Sequence, residues 1–594
     1  MGAGRTSDQE ARVVGGLTRW SVLSPLNAER GTSMSHVKRD RCFSTEGSDM
    51  PDTNEPVEAP VCAQATPELT PTGPTLSRRR LLGSLGAGAA GLAVSTVLPM
   101  GAARAQDSGR SDDTRGSEGK GGTDPTSFSR MFDLPSFAPQ TPELVAALLE
   151  LGRAGGILDA NDPLDRTPKD LIVDLRLSAN NANNPTHTAG TTFFGQFLDH
   201  DMTFDASSKL GVAVDPTRIR NVRTPALDLD SVYGLGPVAE QSLYDANDHV
   251  KFKLESGGLF EDVPRRSDLT PIIADPRNDS TLITCGLHCA FLKFHNAVVD
   301  RVRASGVSDP SDVFAAARAI VLHHYHWIIV HEFLPQIVGQ ELVDDVLKRG
   351  GKFYRPREKE ASIPVEFQGA AYRFGHSMIR PSYRANLAGD NGNPFFALVF
   401  KPTEEGKTDP DDMRGGARAP RRFVGWQTFF DFGDGQVKPN KKIDTKISSP
   451  LFTLPLGAIA SHDMPTSLPQ RSLMRHLTWQ LPSGQAIARA MRTSVLSAQD
   501  LAELAPLGQN LDRSTPLFYY VLKEAEIVAD GLRLGPVGGR IVAEVFLGLL
   551  RADPASYMSV QPDWRPTLPG RAAGEFGMVD LLRIAAVDPG ARGQ

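Results

Sequence analysis

The chain has 594 residues, of which 40% are apolar and 23% are charged, a composition typical of a globular protein. Its formal net charge of -6 at pH 7 gives no electrostatic reason to expect a nucleic acid partner. It has only 4 cysteines, which excludes a scaffold built from disulfides. The length allows several domains or one large catalytic unit.

Residues 77–105 have the features of an export signal. Three arginines at 78–80 precede an uncharged stretch at 83–100, and Ala103 and Ala105 follow as small residues suited to a cleavage site. The pattern resembles a bacterial twin-arginine signal cleaved after Ala105. The alternative is a transmembrane anchor, but the stretch is rich in Gly and Ala and weakly hydrophobic. We expect residues 1–105 to be an N-terminal extension plus signal that directs the protein through the twin-arginine machinery to the periplasm or the exterior.

The rest of the chain divides into a short leader and one large domain. Residues 106–128 are rich in Gly, Ser, Asp and Arg and carry almost no apolar residues, so we expect a flexible leader. The composition is steady over residues 129–594, which predicts a single domain. We expect no later apolar run to serve as a stable membrane anchor.

Helical periodicity dominates this domain. Apolar residues recur at spacings of three and four over residues 142–153, 281–304, 310–338, 483–491 and 498–504. Alternating strand patterns are short and few, as at residues 397–400. The sequence predicts a mainly α fold with a few short β elements, arranged around a buried cofactor.

The first motif with chemical content covers residues 195–202. Gln196 and His200 lie four residues apart and so share one helix face, and Asp199 and Asp201 flank the histidine. Taken alone, this pattern is also typical of a core histidine or of a metal ligand. The segment resembles the distal haem helix of animal-type haem peroxidases, the peroxidase-cyclooxygenase superfamily, and every polar position of that helix is present.

The resemblance implies a role for each of these side chains. His200 would move a proton between the two oxygens of hydrogen peroxide, and Gln196 would position the small reactant. Asp199 matches the carboxylate that forms an ester with a haem methyl group. Asp201 matches a calcium ligand directly behind the distal histidine.

A calcium site needs further oxygen ligands, and residues 224–234 supply them at alternate positions. By resemblance, the ligands are Thr224, the carbonyl of Ala226, Asp228 and Asp230. Many mammalian members have Ser in place of Asp230. The alternative reading is an acidic surface turn.

Residues 274–280 form a turn before the predicted helix at 281–304. The resemblance assigns Arg277 to the distal side, where its charge would stabilise the breaking O–O bond. Ser280 stands where the family often has a Glu that forms a second haem ester. We therefore expect at most one ester, through Asp199.

Residues 372–381 resemble the proximal helix, with His376 as the haem iron ligand and Arg373 beside the cofactor. The alternative reading is a core histidine. The family generally holds this histidine with an Asn further along the chain, which we cannot assign within residues 434–449. Oxygenase members have a Tyr three residues before the histidine, where this chain has Arg373. Tyr372 lies four residues before the histidine and is expected to point elsewhere on the helix, by about 100 degrees, which favours a peroxidase.

The resemblance implies a haem b peroxidase that reduces hydrogen peroxide and oxidises a halide, a pseudohalide or a small organic donor, with calcium as a second cofactor. A haem-dependent fatty-acid dioxygenase is the first alternative, and a secreted binding protein without turnover is the second. Two further clusters remain. Cys285 and Cys289 are interpreted as small packed residues, and the histidines at 323, 324, 326 and 331 are expected to face several directions without binding a metal.

Overall fold

The computed structural model describes residues 126–177, 179–358 and 360–594, and the structural statements below concern these residues. The predicted signal and most of the predicted leader lie outside them.

Eighteen α-helices are described. They are α1 (Pro142–Leu151), α2 (Pro168–Val173), α3 (Gly190–Met202), α4 (Asp230–Tyr233), α5 (Gly236–Ala239), α6 (Leu282–Ala304), α7 (Pro310–Ile328), α8 (Leu334–Val338), α9 (Gln340–Arg349), α10 (Val365–Gly369), α11 (Gly375–Met378), α12 (Leu468–Thr478), α13 (Gly484–Met491), α14 (Leu517–Ala529), α15 (Pro536–Ala552), α16 (Tyr557–Val560), α17 (Met578–Ile584) and α18 (Pro589–Arg592).

The β structure consists of three two-stranded antiparallel pairs among the described residues. The strands are β1 (Asn183–Thr188), β2 (Glu255–Ser256), β3 (Glu261–Asp262), β4 (Ser382–Asp390), β5 (Asn393–Leu398) and β6 (Pro439–Lys441). The pairs are β1 with β6, β2 with β3, and β4 with β5. The mainly α fold with few short β elements is therefore confirmed.

The two longest helices begin at side chains that cap their free N–H groups. Thr281 accepts from the Thr284 amide while the Thr284 hydroxyl accepts from the Thr281 amide, which makes a capping box at α6. At α7 the side chain of Asp309 accepts from the amides of Ser311 and Asp312. A π-helical segment, Ile329–Phe333, continues α7 into α8. The helical predictions for 281–304 and 310–338 are confirmed.

One helix prediction is wrong. Residues 498–504 do not form an α-helix. A 3-10 helix, Ala502–Leu507, overlaps only the end of this range. Pro506 lies inside it, and proline has no N–H to donate to an α-helical ladder. The strand expected near residue 397 is observed as β5.

The start of the domain lies slightly before the predicted boundary at residue 129. Phe128 is fully buried and its amide donates to the carbonyl of Ile219, at 3.2 Å. Ser127 is also buried and is bridged to Arg220. The last residues of the predicted leader therefore belong to the folded unit, because Phe128 gives them apolar surface to bury.

Two described helical stretches are long and apolar enough to cross a membrane, against the sequence expectation of no such run. They are Leu282–Ala304 and Pro310–Val338, each with a mean hydropathy of 1.3. Within the structure 78% and 61% of these windows are buried. Burial of this extent is typical of core helices, and α6 and α7 pack against the elements that carry the site.

Candidate functional site

A cavity of about 1060 Å³, including its opening to solvent, lies between α3 and the segment that contains α11. Its wall is mostly apolar, and a few polar side chains point into one region of it, as in many small-molecule sites. The polar lining includes Gln196, Asp199, His200, Ser280, Gln368, Tyr372, Arg373 and His376. The two predicted haem-facing histidines therefore line one cavity, although they are 176 residues apart in the sequence.

His200 is buried in α3 and held by an amide that the sequence analysis did not identify. Its Nδ1 lies 2.9 Å from Oδ1 of Asn278. The Asn278 amide nitrogen lies 3.4 Å from the Ser231 carbonyl and 3.1 Å from Nδ1 of His288, which leaves its oxygen for His200. Assigned from this network, Nδ1 of His200 carries the proton and Nε2 is free to accept one.

The electrostatic surroundings keep His200 neutral. Burial, and then the positive charge of Arg277, lower the pKa of His200 to about 4. A neutral imidazole at ordinary pH is what a proton acceptor in this position requires.

The side chains of Gln196 and Ser280 are hydrogen-bonded to each other in the wall of the cavity. The Gln196 amide nitrogen donates to the Ser280 hydroxyl, at 3.3 Å. Asp199 also lines the cavity, and one of its carboxylate oxygens accepts from the Thr203 hydroxyl at 3.1 Å. Ser280 thus supports the side chain of Gln196 from the position where the family often has its second ester-forming carboxylate.

Arg277 does not occupy the predicted distal position, since it is not among the described residues that line the cavity. Its guanidinium makes a two-point contact with buried Asp275, at 3.0 and 2.7 Å, and donates to the His200 carbonyl at 2.9 Å. It also stacks 4.2 Å from the Phe204 ring centroid. This correction has a physical reason: Asp275 is the N-cap of the turn and takes up the guanidinium behind α3.

His376 lies in the one-turn helix α11 and has a hydroxyl partner. The Ser472 hydroxyl lies 3.2 Å from Nδ1 of His376 and donates its own proton to the Leu468 carbonyl at 3.0 Å. It therefore accepts from Nδ1, which leaves Nε2 of His376 as the free ligand atom. Burial, and then Arg373, lower the pKa of His376 to about 3, so the imidazole is neutral. The partner is a serine on α12, outside the range 434–449 in which we sought an Asn.

Arg373 is the cationic side chain that lines the cavity. Its Nε donates to the Gln368 carbonyl at 2.9 Å, and burial lowers its pKa to about 10, so it remains charged. Oε1 of Gln368 is buried without a partner among the described residues, and this side chain also lines the cavity. A charge and an unsatisfied amide in one wall are features of a site that holds a polar group.

Tyr372 lines the cavity as well, which the register argument did not anticipate. Its hydroxyl donates to the Gly195 carbonyl at 3.0 Å, and its ring stacks on Phe367 with 4.7 Å between centroids. The expectation that it points elsewhere assumed an α-helix, whereas Ala371–Phe374 is a 3-10 helix with a different rotation per residue.

The predicted calcium ligands form a compact acidic cluster behind α3. Carboxylate oxygens of Asp201, Asp228 and Asp230 all lie within 4.8 Å of one another. The Thr224 hydroxyl donates to Asp230 at 2.8 Å, and Ala226 lies in the same loop. Burial raises the pKa of each of the three carboxyls, that of Asp230 to about 6. Three carboxylates held this close favour a cation between them.

The backbone of this loop is held in an unusual conformation. Leu227 and Leu229, on either side of Asp228, have φ angles of 53° and 56°, in the left-handed region. His326 Nε2 lies 2.9 Å from the Leu227 carbonyl, and the Tyr325 hydroxyl donates to Asp201 at 3.0 Å. Strained backbone fixed from α7 in this way is common at ligand sites.

The remaining sequence clusters have structural surroundings of their own. His324 Nε2 accepts from the backbone amides of Thr567 and Leu568. Cys285 and Cys289 are buried free thiols whose sulfurs lie within 4.8 Å of an Asp262 oxygen. The guanidiniums of Arg265 and Arg418 already pair with this carboxylate, which makes it a poor ligand for a metal ion.

The helical fold brings His200 and His376 to the wall of one cavity. Residues 208–405, about a third of the chain, match the family model described as animal haem peroxidase. Peroxidasin homolog pxn-1 of Caenorhabditis elegans is 28% identical over 181 residues, which are 27% of this chain and 14% of that protein. Peroxidase mlt-7 of the same organism is 34% identical over 133 residues, which are 21% of this chain and 18% of that protein.

A solved structure shows the same fold. Peroxidase A from Dictyostelium discoideum superimposes with a TM-score of 0.51 at 16% identity, covering 77% of this chain and 92% of that one. The match to the first curated relatives spans only 14% of their length. The family match begins at residue 208, after His200, so the distal assignment depends on the motif and on the cavity geometry.

Proposed function

We propose that the protein is a haem peroxidase that reduces hydrogen peroxide and oxidises a halide, a pseudohalide or a small organic donor. The observation that carries this proposal is that His200 and His376 line one cavity, each neutral and each with Nδ1 bonded to an acceptor that leaves Nε2 free.

The cavity fits a haem by the chemistry of its lining. Nε2 of His376 is the iron ligand, the charged Arg373 is suited to a haem carboxylate, and the unsatisfied Gln368 amide adds a polar contact. When bound, haem supplies the redox chemistry that amino acid side chains lack. The carboxylate of Asp199 is exposed to the same cavity, as an ester to a haem methyl group would require.

The side chains of the chain itself handle the protons. Nε2 of His200 accepts a proton from one oxygen of hydrogen peroxide and returns it to the other oxygen, which leaves as water. The Asn278 carbonyl keeps Nδ1 protonated and so holds the useful tautomer. Gln196, supported by Ser280, donates a hydrogen bond to the reactant. Arg277 affects this step indirectly. It bonds to the His200 carbonyl, which fixes the end of α3, and its charge keeps His200 neutral.

Peroxide-dependent oxidation of guaiacol and of bromide by the haem-loaded protein tests the proposal. Loss of the proton acceptor in His200→Ala should reduce the rate roughly 10²- to 10⁴-fold. His249→Ala, a change at an exposed histidine, is the matched control and should retain full activity. Equal rates in the two variants would refute the role of His200.

A fatty-acid dioxygenase is the second candidate, favoured by the phenol of Tyr372 in the cavity wall. Such an enzyme needs a tyrosine that removes a hydrogen atom from its substrate. Tyr372→Phe should leave guaiacol oxidation unchanged if the peroxidase proposal holds. Oxygen uptake with palmitic acid that is lost in Tyr372→Phe would support the dioxygenase instead.

We also propose that calcium binds at Asp201, Asp228 and Asp230 with Thr224 and the Ala226 carbonyl. The oxygen-only donors of this site, and the close approach of the three carboxylates, support a hard divalent cation. A chelator should lower the melting temperature, and added Ca²⁺ should restore it. Asp228→Asn should weaken this response, whereas Asp563→Asn, at an exposed position, should not. An unchanged response in Asp228→Asn would contradict the assignment.

Export by the twin-arginine route remains a proposal based on residues 77–105. Fusion of residues 1–110 to a reporter that is active only after export tests it. Replacement of Arg78, Arg79 and Arg80 by Lys together should abolish export, since the machinery reads arginine specifically. Continued export of that variant would refute the route.

A further inference from the structure

Five rings from α7, the π-helical segment and residues 557–564 form an aromatic cluster. The members of this surface cluster are His323, Trp327, His331, Tyr557 and Trp564. His331 stacks on Trp327 with 3.7 Å between centroids, and Trp564 lies 5.4 Å from Tyr557 and 5.9 Å from Trp327. His323 lies 5.4 Å from Trp564. The cluster thus joins three rings that can lose an electron, Trp327, Tyr557 and Trp564, to two histidines, and the proposed function leaves it unused.

The cluster reaches the protein surface. His331 is exposed, while Trp327, Tyr557 and Trp564 are buried beneath it at 3%, 4% and 8% exposure. Exposed Arg565 lies with its guanidinium 5.2 Å from the Trp327 centroid. A donor too large for the haem cavity can therefore contact the edge of this cluster without entering the protein.

The π-helical segment Ile329–Phe333 connects the surface cluster with the cavity. Phe333 lines the cavity, and His331, two residues earlier, lies in the surface cluster. Two residues of chain span at most about 7 Å, so the wall between cavity and cluster is one residue thick here. π-Helical insertions of this kind occur frequently at functional sites.

Tyr557 and His331 make a proton-coupled pair within the cluster. The Tyr557 hydroxyl lies 3.4 Å from Nε2 of His331. His331 is exposed in part only, because its ring stacks on Trp327; this partial burial, and then the charge of Arg565, lower the pKa of His331 to about 4, so its ring is neutral and can accept a proton. Burial raises the pKa of Tyr557, which means that the phenol loses its proton only together with an electron.

We propose that the surface cluster is a second donor-oxidation site, at which Tyr557 is the oxidised residue and the donors are phenols too bulky for the cavity. The inference rests on the proposed peroxidase function, which supplies hydrogen peroxide as the oxidant. Tyr557 loses one electron toward the haem cavity through the π-helical wall, and its proton passes to Nε2 of His331. The bulky phenol then gives one electron to the Tyr557 radical, which recovers its proton from His331, while the phenol releases its own proton to solvent and leaves as a phenoxyl radical. Two such cycles supply two electrons, and the two protons released to solvent balance the two that are taken up as one hydrogen peroxide becomes two waters.

The test compares free tyramine with tyramine coupled to a soluble dextran larger than the protein itself. The variants are Tyr557→Phe, which keeps the ring and removes the phenolic hydrogen, and His331→Gln, which removes the proton acceptor. Tyr354→Phe is the control, because this buried tyrosine only donates to the Ser362 carbonyl and lies outside the cluster. Electron paramagnetic resonance of samples frozen after addition of peroxide gives a readout independent of turnover.

We expect Tyr557→Phe to lose at least tenfold in dextran-tyramine oxidation and to retain the free tyramine rate. Its tyrosyl radical signal should be lost as well, whereas Tyr354→Phe keeps both. An unchanged radical signal and unchanged dextran-tyramine rate in Tyr557→Phe would overturn the inference. If wild type oxidises free tyramine but not the dextran conjugate, the surface site is refuted and the peroxidase stands. If wild type oxidises neither form of tyramine, nor guaiacol, nor bromide, the proposed function itself fails.

Discussion

The hydrogen bond between Asn278 and His200 yields the most specific prediction. Asn278→Asp preserves the size and the acceptor oxygen 2.9 Å from Nδ1 of His200 and adds a negative charge. Because an opposite charge at this distance favours the protonated imidazole, the pKa of His200 should rise from its value of about 4. Opposite charges in contact commonly shift a pKa by about 1 to 3 units, which places the new value at roughly 5 to 7.

The sign of the effect on rate follows from the protonation state. Only neutral His200 accepts the peroxide proton, so the rate of reaction with peroxide falls as the pH drops through the pKa. Stopped-flow measurement of the haem absorption change from pH 3.5 to 8 gives this profile. The acid limb should lie near pH 4 in wild type and at higher pH in Asn278→Asp.

A matched substitution separates this effect from a general loss of stability. Asn296→Asp changes an Asn on α6 that pairs with Phe252 and does not line the cavity. Its acid limb should coincide with that of wild type. An Asn278→Asp profile identical to wild type would show that His200 is not the titrating base, and the reasoning would be refuted.

Three further predictions concern the rest of the site. Ser472→Ala removes the acceptor for Nδ1 of His376 and should raise the reduction potential of the haem iron, whereas Ser472→Asp should lower it. Redox titration checks this, and the same potential in both variants would contradict the contact. Arg277→Lys should retain the rate of reaction with peroxide within about tenfold, because the guanidinium is held by Asp275. A loss of about 10²-fold or more in rapid kinetics would instead support direct stabilisation of the breaking O–O bond by Arg277. The pKa of Asp230 is raised to about 6, so without a cation this carboxyl destabilises the fold increasingly as the pH rises from about 4 to 6. Ca²⁺ should therefore raise the melting temperature more at pH 7 than at pH 5. An equal shift at both pH values would argue against binding by this carboxyl.

The fold class and the main site residues were accessible from the sequence because they depend on local patterns. The helices at residues 281–304 and 310–338 follow from apolar periodicity. His200, Gln196 and the acidic loop follow from short motifs with fixed spacing. Each of these features is encoded within a dozen or so neighbouring residues.

The contacts that the sequence did not predict depend on distant segments. Ser472 is 96 residues from His376, and nothing near either residue signals their contact. Asn278 lies in the turn at residues 274–280, but its amide oxygen faces His200 only because Ser231 and His288 occupy its nitrogen. The placement of Arg277 failed for a related reason, since its acidic partner Asp275 competes with the distal role.

The absorption spectrum of the haem-loaded protein, before and after one equivalent of hydrogen peroxide, tests the central claim most directly. The account predicts a Soret band that changes rapidly in wild type, slowly in His200→Ala, and is displaced or lost in His376→Ala. A wild-type protein that binds no haem, or variants that behave like wild type, would contradict the assignment of both histidines.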